Sequence, residues 1–165
     1  MSTTAKKSST TKPDAVKLLT ADHREVNGLF KAYKKACKAD APADERDALA
    51  AQICDLLSVH TTLEEEIFYP AARAAEVDSA LLDEAEVEHA SAKELVAQLR
   101  GMRAEEALFD AKVTVLGEYV DHHVKEEEDE LFPACKKAGL DMVELGAELT
   151  ARKSELMAEL EEEVV

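Results

Sequence analysis

Glycine and aromatic residues are scarce in this chain, with 5 glycines and 4% aromatics among 165 residues. Strands and tight turns draw on those residues. Their scarcity, beside 46% hydrophobic residues that are mostly Ala, Leu and Val, points to helices. Cysteine is too sparse for a scaffold: Cys37, Cys54 and Cys135 are odd in number and form no Cys-x-x-Cys pair. That argues against a disulfide framework or a thiolate metal site, and for a reducing cytoplasm. No apolar run reaches the roughly 18 residues of a membrane span. Residues 1–12, with lysines among Ser and Thr, lack the apolar segment of a secretory signal and read as a disordered tail. Basic residues are outnumbered, 20 Lys and Arg against 36 Asp and Glu, for a net charge of −16. Nucleic acid and anionic membrane are thereby poor partners. The length suits one domain with a core of useful size.

What the chain does have is a repeated stretch. His60-Thr61-Thr62-Leu63-Glu64-Glu65-Glu66-Ile67-Phe68-Tyr69-Pro70 is matched by His123-Val124-Lys125-Glu126-Glu127-Glu128-Asp129-Glu130-Leu131-Phe132-Pro133. In each copy a glutamate follows the histidine by four residues and a proline follows it by ten. Residues four apart share one face of a helix, so each copy aims an imidazole and a carboxylate the same way, as two ligands of one metal require.

Around these copies the apolar periodicity predicts five helices. The first opens at Pro13-Asp14 and carries the stripe Val16, Leu19, His23, Val26, Phe30, Tyr33, Cys37. The second runs from about Ala43 to Phe68 with Leu49, Ile53, Leu56, His60, Glu64, Ile67; Pro70 marks its end, before a short helical connection at 71–76. Asp78-Ser79 caps the third, which ends near Gly101 and carries Leu82, Ala85, His89, Ala92, Val96, Leu99. The fourth, from about Ala104 to Leu131, carries Phe109, Val113, Leu116, Val120, His123, Glu127. A fifth, very acidic helix (141–163) presents Met142, Leu145, Leu149, Leu156 and Leu160 for packing along the bundle or against a protein partner. The expected fold is all-α: an antiparallel four-helix bundle over residues 13–135 with an additional C-terminal helix.

The halves of the bundle match. His23 and His89 are 66 residues apart, His60 and His123 are 63 apart, and each half supplies one lone histidine and one His-x-x-x-Glu. A single histidine on an apolar stripe is usually a core residue. Four in matching positions, with two carboxylates, are too costly to bury without a cation. The candidate metal ligands are therefore His23, His60, Glu64, His89, His123 and Glu127. His122 and Glu126 also stand four apart, but one residue is about 100° of helix rotation, and the proline comes eleven residues after His122 instead of ten. That pair belongs on the flank. Tyr69 reads as a core or lid residue at the helix end, and Tyr119 as either a hydrogen-bond donor to the site or plain packing.

These residues resemble the hemerythrin-like, or HHE cation-binding, family over about residues 14–135. The Asp22-His23 start, Glu88-His89, and the two His-x-x-x-Glu-Glu segments ending in Phe-Tyr-Pro or Leu-Phe-Pro carry the likeness. The resemblance implies two Fe ions in an oxo- or hydroxo-bridged di-iron centre, with the four histidines as terminal ligands and Glu64 and Glu127 as bridges. It further implies binding or sensing of O2, peroxide or nitric oxide, with weak redox activity. Handling of the cation as cargo, or a structural metal in an interaction module, are the alternatives. One departure matters: oxygen-carrying hemerythrins have a fifth histidine four residues from another on the third helix. Here Lys93 and Ala85 flank His89 at that spacing. Water, Glu86 or nothing would take the missing place.

Overall fold

The computed structural model describes residues 14–163; the tail expected over residues 1–12, and Pro13, lie outside them. Asp14 starts the first helix by accepting a hydrogen bond from the Lys17 amide at 2.8 Å, the bond expected of an N-cap. Helix α1 (Ala15–Lys38) turns at Asp40, whose positive φ closes the link, into α2 (Ala43–Leu63). Helix α3 (Tyr69–Ala74) follows; then α4 (Ser79–Arg100), capped by Asp78, pairs with α5 (Phe109–Glu126). A short α6 (Phe132–Lys137) and the long α7 (Met142–Glu163) complete the chain.

Helix α1 packs on α2 and α5, and α4 packs on α2 and α5, which makes a square four-helix bundle. Helix α7 lies against α1 and α2, burying Leu145 and Leu149, with Leu156 and Leu160 packed beside them. No helix among the described residues is long and apolar enough to cross a membrane.

Two boundaries differ from the sequence expectation. The fourth helix starts at Phe109 rather than Ala104. Before it, the Glu106 carboxylate accepts from the Arg103 amide at 2.6 Å, and Leu108 takes a positive φ of 72°. A side chain that bonds nearby backbone competes with the helix, and here it wins despite helix-favouring residues. Nor does Pro70 end the second helix. The backbone passes through a π-helical turn, Glu64–Phe68, straight into α3, and the same happens at Glu127–Leu131 before Pro133. A proline clashes with the carbonyl four residues back in a regular helix; a wider turn placed just before it makes room.

The core is divided in two. At one end Leu19, Leu63, Phe68, Phe132 and Leu149 pack together; at the other, Ile53, Leu57, Phe109, Val113 and Leu116 do. Between them lies a buried polar layer comprising Asp22, His23, His60, Glu64, His89 and Glu127. Each large apolar side chain in these clusters contributes about 1.5–3 kcal/mol by leaving water. The polar layer contributes nothing of that kind, and its two glutamates, no more than 1% exposed, burden the fold unless a cation answers them.

Candidate metal centre

Every helix of the bundle delivers one histidine to this layer, because each sits mid-stripe on the face its helix buries. All six side chains named as ligands from the sequence come together. They form two groups of converging donors: His23, His60 and Glu127, and Glu64, His89 and His123. In the first, the Nε2 atoms of His23 and His60 face each other at 3.2 Å, and His23 Nε2 lies 3.0 Å from Glu127 Oε1. In the second, the Nε2 atoms of His89 and His123 stand 3.2 Å apart. The carboxylates reach both groups. Glu127 also places Oε2 3.3 Å from His123, while Glu64 Oε1 lies 2.8 Å from His60 and 3.4 Å from His89.

Outside these donors stands a ring of acids, arranged with the same two-fold correspondence. Asp22, next to His23, meets His60 Nδ1 at 3.1 Å; Glu88, next to His89, meets His123 Nδ1 at 3.0 Å. Glu128 lies 3.3 Å from His23 Nδ1, and Glu65 lies 3.8 Å from His89 Nδ1. Partners of this kind fix ring orientation and make the inward nitrogen a better donor. Lys153 of α7 holds Asp22 Oδ1 at 2.6 Å, and Lys93 grips both oxygens of Glu65 at 2.6 Å.

The site's electrostatics follow from that crowding. Burial lowers the pKa of His123, but Glu127 beside it, then Glu64 and Glu88, outweigh burial and lift it to about 10. His60 is likewise pulled down by burial and pushed well above the usual imidazole value by Glu64 and Asp22. Burial works to raise Glu64, yet the neighbouring His60 holds its carboxyl well below the usual range. With protons alone, the layer is a set of buried ion pairs.

Protons satisfy it incompletely. Glu64 Oε2 and His89 Nδ1 are buried with no hydrogen-bond partner, while Glu64 Oε1 and Glu127 Oε1 face only histidine nitrogens, at ion-pair distance but without a well-formed hydrogen bond. Each such atom carries a desolvation penalty of about 1–3 kcal/mol, and more when charged. Two nitrogens facing head-on at 3.2 Å can share only one proton, whereas ligands at right angles on one metal, with bonds of about 2.0–2.1 Å, sit about 3 Å apart. The donor set fits divalent or trivalent first-row metal: imidazole suits Fe, Zn, Cu or Ni, and carboxylate adds hard oxygen.

One residue of the layer escaped the sequence reading. Tyr69 was read as a core or lid residue; its hydroxyl lies 3.2 Å from Nε2 of both His89 and His123 and donates to Glu127 Oε2 at 2.6 Å. Burial, then the charges of Glu64 and Glu127, raise its pKa well above 10, so among the side chains alone it is a neutral phenol. It stands beside both His89 and His123. Glu86 does not: it is exposed and turned toward Arg73 at 3.5 Å. His122 stays on the flank, 67% exposed, 3.2 Å from Glu126 and 3.4 Å from Glu88. Tyr119 is about half exposed and lines a small cavity beside the four histidines. The cysteines are free thiols, and burial pushes Cys135 up to about 12.

Comparison with known proteins agrees with this geometry. The family model described as the hemerythrin HHE cation binding domain matches residues 14–135. No curated protein sequence matches the chain. Among solved structures, a hemerythrin HHE cation binding domain-containing protein from Mycobacterium kansasii is similar in fold, with a TM-score of 0.73 and 22% identity over 88% of each chain. The converging His and Glu side chains all lie within the matched residues, and the chain belongs to the hemerythrin HHE cation-binding domain family.

Proposed function

We propose that this protein holds two iron ions and uses them to bind or sense a small oxidant or diatomic molecule: O2, peroxide or nitric oxide. His23 and His60 would hold one ion and His89 and His123 the other, with Glu64 and Glu127 shared between them. The single observation that carries the reading is Glu127, whose two oxygens address the two groups separately, Oε1 at 3.0 Å from His23 and Oε2 at 3.3 Å from His123. A carboxylate so placed would be shared by two ions, one held by each histidine pair.

The size of the ligand follows from the cavity on the histidine side. It is about 30 Å³, walled by His23, His60, His89, His123, Val26 and Val120 among others. A water needs about 10–15 Å³ by the same measure, and drug-sized pockets run to roughly 300–1,000 Å³. A diatomic or peroxide fits; a metabolite does not. The cavity's lining sets the four imidazoles, Asp22 and Glu88 beside Val26, Leu57, Ala92, Val120 and Val124. Iron, when bound, supplies an electrophilic, redox-active centre; the chain's own residues orient it, neutralise it and limit what reaches it. Free cysteines agree with a reducing compartment such as the cytoplasm.

The test is metal analysis and visible spectroscopy of protein from iron-supplied cells. Two irons per chain are expected, with a new charge-transfer band on adding azide to the oxidised form, and oxidation of the reduced form by air. One iron or none per chain overturns the two-ion reading. A lasting, reversible O2 adduct replaces sensing with carriage.

A further inference from the structure

Helix α7 lies outside the bundle that houses the donors, yet one of its side chains enters their surroundings. Lys153 Nζ sits 2.6 Å from Asp22 Oδ1, and Asp22 Oδ2 sits 3.1 Å from His60 Nδ1. The three form a chain from the surface to the metal position, joining residues 131 apart in sequence. Asp22 is 7% exposed and Lys153 is itself mostly covered, with 28% of its side chain exposed. The carboxylate therefore has little water to turn toward, and its two oxygens are fixed by one partner each.

The corresponding acid of the other half is held differently. Glu88 bonds His123 Nδ1 at 3.0 Å, but its second oxygen faces the exposed His122 at 3.4 Å, with Glu126 gathered beside them. No lysine among the described residues pairs with Glu88. A neighbouring contact shows that α7 has a second, separate tether: Arg152 bonds Glu66 of the first π turn at 2.8 Å, an exposed pair that touches no donor of the centre.

Resting on the two-ion reading above, we propose that Lys153 is a positioning residue for the His23–His60 metal position, acting through Asp22. It fixes the rotation of the Asp22 carboxylate so that Oδ2 meets the His60 ring, and so holds His60 Nε2 toward Glu64 and His23. The C-terminal helix is thus part of the metal site and not only a cover for the bundle's apolar side. Removing Lys153 leaves Asp22 a buried carboxylate with one oxygen unanswered, free to turn away from His60. That turn loosens the ring. Loss of a partner of this class weakens metal binding about 10–100-fold.

The experiment is a titration of the chelator-stripped full chain with Co(II), read by its visible bands, which report each ion's surroundings as it binds. In the wild type two equivalents are expected. In Lys153→Met one equivalent should bind as in the wild type, while the other binds about 10–100-fold more weakly with altered bands. Lys153→Arg, which keeps charge and donors, should recover most of the lost affinity. Arg152→Met, which cuts the other tether of the same helix, should leave both equivalents within about twofold. In an Asp22→Asn background, Lys153→Met should cost nothing further, because the two act as one unit. The proposal is overturned if Lys153→Met retains two wild-type equivalents, if Arg152→Met matches its loss, or if the two substitutions add in full. A wild type that takes up fewer than two equivalents overturns the two-ion reading, and the proposal with it; two equivalents in the wild type keep these failures apart.

Discussion

The two halves of the centre are built from corresponding parts, and at one matched position only one half offers a polar atom to the inward donors. His23 corresponds to His89, His60 to His123, Asp22 to Glu88, Glu64 to Glu127 and Glu65 to Glu128. Past each glutamate a π turn brings the residue five places on over the site. In the first copy that residue is Tyr69, whose hydroxyl touches His89, His123 and Glu127. In the second it is Phe132, whose ring stacks on His23 at 6.1 Å and offers no donor. A two-fold arrangement of backbone and histidines thus presents four polar groups on one side and three on the other. The lesson is that symmetry of the fold does not make the two positions equal: the Tyr69 hydroxyl stands on one side only.

Several substitutions would break or sharpen that comparison. The largest effect belongs to the inward histidines: His60→Ala or His123→Ala should remove most bound metal, and His122→Ala should leave about the wild-type amount, as measured by elemental analysis. If His122→Ala empties the centre while His123→Ala does not, the assignment of donors is wrong.

Next in size is the response of chelator-stripped protein to pH. The folded pKa values of His60 and His123 lie above their unfolded value, so the stability these residues add is present in full below about 6.5. It is lost as pH rises, for His123 through about 10. Glu64 and Asp22 are depressed in the fold, so theirs is present above about 4–4.5 and lost as pH falls further. Stripped protein should be most stable near pH 4.5–6.5 and melt progressively lower up to pH 10. Metal should release protons as it binds, and a melting temperature flat from pH 6 to 10 would contradict the buried ion pairs.

Tyr69→Phe removes this difference between the halves and comes third. It removes the hydroxyl bond to the charged Glu127, a loss of about 1.5–3 kcal/mol, and should weaken the His89–His123 position while leaving its counterpart within about twofold. Equal weakening of both positions in a two-step metal titration would count against the asymmetry. Lys93→Met is the smallest. Its exposed ion pair with Glu65 contributes no more than about 1 kcal/mol, so the stripped protein's melting should barely move, while Glu65 gains freedom to reach His89 Nδ1. A loss of several kcal/mol would show that Lys93 supports the fold itself.

Much of this was legible in the sequence because the inward histidines repeat at helical spacing, and four stripes with four histidines admit one arrangement. Tyr69 was not. Five residues along a regular helix is about 500°, so Tyr69 falls about 140° away from Glu64. Only a π turn brings it back, and nothing in Glu64–Phe68 announces one except the proline that follows. Setting Phe68-Tyr69-Pro70 beside Leu131-Phe132-Pro133 shows where the copies diverge, but not which way the ring points. The turn at Arg103–Leu108 was missed because one side-chain-to-backbone bond outweighed residues that favour helix. Lys153 left no signal at all: pairing between Asp22 and a residue on the last helix depends on how that helix docks, which periodicity does not encode.

The polar layer that splits the apolar interior has a consequence for how the molecule opens. Ile53, Phe109 and Leu116 belong to one cluster; Leu19, Phe68 and Leu149 belong to the other. What joins the clusters across the bundle's middle is the set of donors itself. A cation bound there ties all four helices at one level, so the ends must come apart together. Without it, the middle is the weakest joint, and each end can open while the other stays closed. Amide hydrogen exchange on chelated protein should then resolve two opening free energies, one per cluster, that merge into a single cooperative value when metal is restored.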